Sequence, residues 1–268
     1  MTPLRVGIVA EATGRPIRLA VAESARMGAT AIQADAVGDL LPAQLGETGR
    51  REFRNLLRSY SQELAALHVP LRRGLDIAAD LQPRIDAVRK SMQLAFDLGG
   101  RHVVVPCPKL PDEAESPRAQ LMREALTALG QYGDRVGTVV ALEIGFDPAD
   151  KVRDYLAAFD TGSLKVTFDP ANLMMHGHDP LANLAPLKGL IAHVHARDAR
   201  NAGLSRGLQE VALGAGDVDW LALTATLQVM EFDGCLCVDR EQGASKLADV
   251  TNGVKFLRRF AGPLLAPG

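Results

Sequence analysis

Short apolar runs rich in Val, Ile and Leu alternate with longer stretches of helical periodicity from one end of this chain to the other. A strand buried on both faces of a parallel sheet reads as one continuous apolar run, whereas a crossover helix shows a stripe of period 3.6. On this basis LRVGIVAE (4–11) reads as a first strand and Pro16 to Met27 as a helix closed by Gly28. TAIQAD (30–35) is a weak second strand, followed by a long charged helical stretch from Gln44 to Leu67. Val69 to Asp76 is the third strand candidate, although Pro70 and Gly74 interrupt it. Ile85 to Leu98 is helical and stops at Gly99-Gly100, and RHVVVPCP (101–108) followed by Ser116 to Val136 gives the fourth strand and helix.

The second half repeats the pattern with a difference. Four apolar runs, VVALEIG, KVTFDPAN, IAHVHARD and GCLCVDRE, each end in acidic or imidazole side chains. Helices are expected from Pro148 to Phe159, Pro180 to Leu187, Val218 to Glu231 and Ser245 to Phe260, with a long polar loop after the seventh strand. Eight strand–helix units without a linker or a composition break argue for parallel strands with crossover helices. The fold class is therefore α/β, a single-domain (β/α)8 TIM barrel over 1–268, a fold that commonly takes roughly 250 residues. Neither G-x-G-x-x-G nor G-x-x-x-x-G-K-[ST] occurs, which weighs against a nucleotide-binding open sheet.

Chemistry in such a barrel sits where the carboxyl ends of the strands meet. Glu143, Asp169, His195 and Asp239 fall at similar depth on strands five to eight. A polar side chain at the end of a buried strand is costly to hide. Taken singly, each has an ordinary explanation as a helix cap or ion-pair partner; Asp169-Pro170-Ala171-Asn172 also reads as an Asx-turn. Four on successive strands point instead to a shared divalent cation, with Mg, Mn, Co and Zn all compatible with carboxylate and imidazole donors. His193 and His195 share a face of their strand, as do Asp239 and Glu241. His195 and Asp239 are preferred as ligands, leaving His193 and Glu241 as substrate contacts, with Glu11 at the end of strand one a further contact. Asp198 either orients an imidazole or caps the following loop.

The remaining features change the picture less. A hydrophobic fraction of 47% supports a substantial core, and a net charge of -2 offers no bulk attraction to nucleic acid or membrane. Cys235 and Cys237 alternate on one strand and, with Cys107, read as buried small side chains rather than a disulfide framework. MTPLRVGIVAEATG lacks a basic leader with a long apolar core, so a cytoplasmic location is expected. His176 and His178 read as partly solvated loop residues and His68 and His102 as structural. Arg72, Lys109, Arg197 and Arg206 could each meet an anionic sugar or acid, with solvated surface charge the default reading and Arg206 the one taken as a substrate contact.

ALEIG, FDPAN, HVHARD, LGAGDVDW and CVDRE, in this order, resemble the xylose-isomerase-like TIM-barrel superfamily of sugar isomerases and epimerases. The group includes ketose 3-epimerases, hydroxypyruvate isomerases, inosose dehydratases and, more distantly, the endonuclease IV class. The resemblance implies a divalent metal ion held by Glu143, Asp169, His195 and Asp239, with Glu143 and Asp239 also the acid/base pair. The chain departs from the pattern twice: position 239 is Asp where Glu is usual, and Asn172, an expected substrate contact, stands where many relatives carry a histidine that assists the substrate carbonyl. The expected activity is isomerisation or epimerisation of a small sugar, keto-sugar or polyol derivative by proton transfer through a metal-bound enediolate. The alternatives are dehydration of an inosose-like or shikimate-like substrate, or a barrel that binds metal without turnover. A small carbohydrate-like molecule is the expected partner, with no nucleic acid and no membrane; barrels of this size often pair, which leaves a homodimer open.

Overall fold

In a computed structural model, which describes residues 3–203 and 207–261, eight parallel strands close into a barrel. They are β1 (Arg5–Val9), β2 (Ala31–Asp35), β3 (Glu63–His68), β4 (His102–Pro106), β5 (Val139–Glu143), β6 (Leu164–Phe168), β7 (Ile191–Ala196) and, after a two-stranded hairpin of β8 (Asp198–Asn201) and β9 (Leu208–Val211), β10 (Cys235–Val238). Around the barrel the order runs β1, β10, β7, β6, β5, β4, β3, β2, and β2 pairs again with β1. The helices are α1 (Ile17–Met27), α2 (Glu47–Ser59), α3 (Leu81–Asp97), α4 (Pro117–Val136), α5 (Ala149–Ala157), α6 (Pro170–Met175), α7 (Trp220–Val229) and α8 (Lys246–Leu257). Each α/β unit buries one stripe of its helix on the barrel wall, as the periodicity of the chain requires. No helix among the described residues is long and apolar enough to cross a membrane.

Two elements lie elsewhere than expected. The third strand is Glu63–His68, within the stretch read as the end of a helix, and Val69 to Asp76 is irregular. Helix α2 stops at Ser59 because the chain turns through Ser61, whose φ of 52° is left-handed, and this reversal feeds ELAALH into the sheet beside β2. In place of a helix over Pro180 to Leu187 there is a 3-10 turn at Ala185–Leu187, and the unit is closed by α6, which starts directly after β6. The polar loop after β7 contains the β8–β9 hairpin.

The barrel interior narrows where the sulfurs sit. Cys235 and Cys237 are buried with their sulfurs 3.7 Å apart, and Gly7 faces them from β1. A Cβ at Gly7 would lie 2.7 Å from the Ala31 carbonyl oxygen and 2.8 Å from the Cys237 sulfur. Only glycine leaves room there. Burial pushes the Cys237 thiol well above its ordinary range, which marks it as packing rather than reactive chemistry.

Candidate metal centre at the strand ends

Strand parity delivers the side chains. In β7, His193, His195 and the following Arg197 alternate onto the inner side of the barrel, and register aligns His195 with Cys237 of β10. Glu143 ends β5 and Asp169 follows β6 directly. Donor atoms of Glu143, Asp169 and His195 all lie within 4.8 Å of one another. His195 Nδ1 is 3.3 Å from Glu143 Oε1, and its Nε2 is 2.9 Å from Gln33 Oε1, which reaches across the barrel from β2. Asp169 is fully buried; Oδ1 caps α6 by accepting from the Asn172 amide at 2.8 Å, and Oδ2 accepts from Arg197 Nη1 at 2.9 Å.

The charges are strongly coupled. Burial alone would lower the His195 imidazole, but the Glu143 charge and hydrogen bond, with Asp239 and Asp169 behind them, raise it to about 9. Burial likewise works to raise Glu143, and the charge and hydrogen bond of His195 overcome it and bring the carboxyl down to about 2. Burial pushes Asp169 upward against the pull of Arg197. Without a bound cation the pair is thus an imidazolium–carboxylate ion pair at neutral pH.

These residues suit a divalent cation. Two carboxylates and one imidazole form an oxygen- and nitrogen-rich donor set. The surrounding acid is also in excess: among the described residues, Arg197 and Arg240 are the guanidiniums paired with the carboxylates of Asp169, Glu210, Asp239 and Glu241.

The other candidate residues take varied places. Asp239 lies outside the three-residue cluster, with Oδ2 3.9 Å from Arg197 Nε, and Glu241 Oε2 accepts from Arg197 Nη2 at 2.9 Å. His193 is fully buried beneath His195, ring centroids 5.4 Å apart, and neither ring nitrogen has a partner among the described residues. Asn172 donates its side-chain amide to the Ile144 carbonyl at 3.1 Å and fills the space over Gly145, where a Cβ would come within 2.3 Å of it. Glu11 accepts from the Asp35 amide at 2.9 Å, and Asp35 in turn meets His68 Nδ1 at 2.8 Å. Arg206 lies outside the described residues. His176 packs its ring on Phe146 and His178 meets the Phe146 carbonyl at 3.2 Å, tying the loop after β6 to that after β5.

Asp198 is a loop cap. Its carboxylate, 1% exposed, accepts from the amides of Gly214, Gly216 and Val218 and from Trp220 Nε1. This explains LGAGDVDW: a Cβ at Gly216 would strike the Asp198 carboxylate, and the indole must reach back to it. Asp198→Ala strands these buried donors and is expected to cost about 3 kcal/mol, lowering the melting temperature by roughly 6–12 °C; a calorimetric melt checks it.

Three residues were not singled out from the sequence as part of the site. Gln33 carried a signal, as an amide inside an apolar strand on the same face as Asp35. Arg197 carried one too, two positions beyond His195, but read as surface charge; it is 5% exposed. Glu210, in the hairpin, has no such pattern around it, yet its carboxylate accepts from the amides of Glu241 and Gln242 at 3.0 Å and 2.7 Å and pins the segment after β10.

Comparison with known proteins agrees with this architecture. The family described as xylose isomerase-like TIM barrel matches residues 21–260. An inosose dehydratase from Lacticaseibacillus casei is 25% identical over 141 residues, which is 45% of this chain and 47% of that protein, so the match spans about half of the relative's length. The crystal structure of a xylose isomerase domain protein from Planctomyces limnophilus superposes with a TM-score of 0.83 at 21% identity, covering 97% of both chains. A 3-keto-D-glucoside 4-epimerase from E. coli superposes with a TM-score of 0.77 at 18% identity, covering 96% of this chain and 99% of that one, and the likeness in both cases is one of fold.

Proposed function

We propose that this chain, which belongs to the xylose isomerase-like TIM barrel family, is a divalent-metal-dependent isomerase or epimerase of a small sugar, keto-sugar or polyol derivative. The observation that carries the reading is the convergence of Glu143, Asp169 and His195 donor atoms at the carboxyl ends of three successive barrel strands. A divalent cation held there would polarise a carbonyl and its neighbouring hydroxyl and acidify the carbon-bound proton between them. Glu143 takes that proton, and Asp239, at the end of β10, returns one to the substrate. Gln33 fixes the His195 ring through Nε2, and Asn172, tied to the Ile144 carbonyl, shapes the wall between the loops after β5 and β6.

Elemental analysis of the purified protein, followed by a panel of ketoses with metal present and removed, tests this reading. Turnover that appears with Mn2+ and vanishes on chelation is the expected result; turnover indifferent to chelation would overturn it. The match to an inosose dehydratase supports a second reading, loss of water from an inosose-like substrate. Mass analysis of the product separates them, because epimers retain the substrate mass and a dehydration product is lighter by one water.

A further inference from the structure

The rim holds more acid than one cation site uses, and the surplus has its own counterion. Arg197 is 5% exposed and spreads its guanidinium over four carboxylates. Nη1 donates to Asp169 at 2.9 Å, Nη2 to Glu241 at 2.9 Å, and Nε lies 3.4 Å from Glu210 and 3.9 Å from Asp239. A planar fork of donors can serve several carboxylates at once, which an ammonium does less well. Asp239 is turned toward this group: Oδ2 faces Arg197, and Oδ1 accepts from the Arg240 amide at 2.7 Å. The backbone beyond it is pinned by Glu210, which accepts from the Glu241 and Gln242 amides. Aspartate is also one methylene shorter than glutamate, so its carboxylate stays nearer its own backbone.

We propose that Arg197 is a positioning residue that divides the acidic rim, leaving Glu143, Asp169 and His195 as the protein ligands of a divalent cation and holding Asp239 and Glu241 outside its coordination shell, facing substrate. The proposal rests on the metal-dependent reading above. It leaves the cation with open positions for substrate oxygens, and it leaves Asp239 free to move a proton.

Calorimetric titration of the metal-stripped full chain with Mn2+ tests it without any substrate. Glu143→Gln and Asp169→Asn each weaken binding by at least about 100-fold, whereas Asp239→Asn stays within about two-fold of the unmodified protein. Arg197→Met releases Asp239 toward the cation and tightens binding by about ten-fold, and adding Asp239→Asn to that variant abolishes the gain. Arg197→Lys keeps the charge and holds the affinity near that of the unmodified chain. A purely structural role for Arg197 would give weaker binding, never tighter. Removing a buried charge partner is costly; if Arg197→Met does not fold, the comparison of Asp239→Asn with Asp169→Asn decides alone. Equal loss in those two variants overturns the proposal and leaves the metal centre standing. No Mn2+ binding by the unmodified chain overturns both.

Discussion

Glu143→Gln is expected to lower turnover by at least about 1,000-fold while the barrel stays folded. The substitution keeps shape and volume at the end of β5, and the backbone pairing of Glu143 with Pro106 on one side and Thr167 on the other is untouched. What changes is the chemistry of the site: the neutral amide is a weaker ligand for the cation, and it can donate or accept a hydrogen bond but cannot take up a proton near neutral pH. Loss of the negative charge also removes the main influence that holds His195 above its ordinary range. The expected pattern is a collapse of kcat with a circular-dichroism spectrum like that of the unmodified protein. Undiminished turnover by a folded variant would remove Glu143 from the mechanism.

The barrel was legible in the sequence because its strongest strands are continuous Val- and Leu-rich runs, such as Val139–Glu143 and Ile191–Ala196, each followed by a helical stripe. Glu63–His68 was not, since ELAALH is built from good helix formers and directly follows the charged stretch of α2. Its membership of the sheet is decided by the turn at Ser61 and by pairing with Ala31–Asp35, neither of which periodicity reports. The site divides in the same way. Glu143, Asp169 and His195 come together because strand ends and two-residue parity are written in the local sequence. Arg197, Glu210 and Gln33 depend on contacts between distant segments; the His195–Gln33 contact joins residues 162 positions apart. Local reading assigned the charge of Arg197 to solvent because nothing nearby in the sequence announces the carboxylates that surround it.

Metal affinity should rise steeply with pH, by about ten-fold per unit from pH 6.5 to 8.5, or about 100-fold overall. The reason is the protonated state of His195 in the metal-free protein. Its imidazole is raised to about 9 by the Glu143 charge and hydrogen bond against the opposing effect of burial, so it carries a proton that a cation must displace. One proton should therefore be released per cation bound at pH 7, measured as the dependence of the calorimetric enthalpy on the ionisation enthalpy of the buffer. Folding of the metal-free chain should show the opposite slope. Because His195 is raised from 6.5 to about 9, its stabilising contribution is fully present below about pH 6.5 and is lost as pH rises through about 9. Glu143 is lowered from 4.5 to about 2, so its contribution is present above about pH 4.5 and is lost as pH falls through about 2. Both shifts express one ion pair, so they count once, at about 3 kcal/mol. Between pH 6.5 and 8.5 the metal-free melting temperature should therefore fall while Mn2+ binding tightens, and that crossing is specific to a histidine shared between an ion pair and a cation. If neither slope appears and no proton is released, His195 is neutral in the metal-free protein and the coupling with Glu143 is not what governs the site.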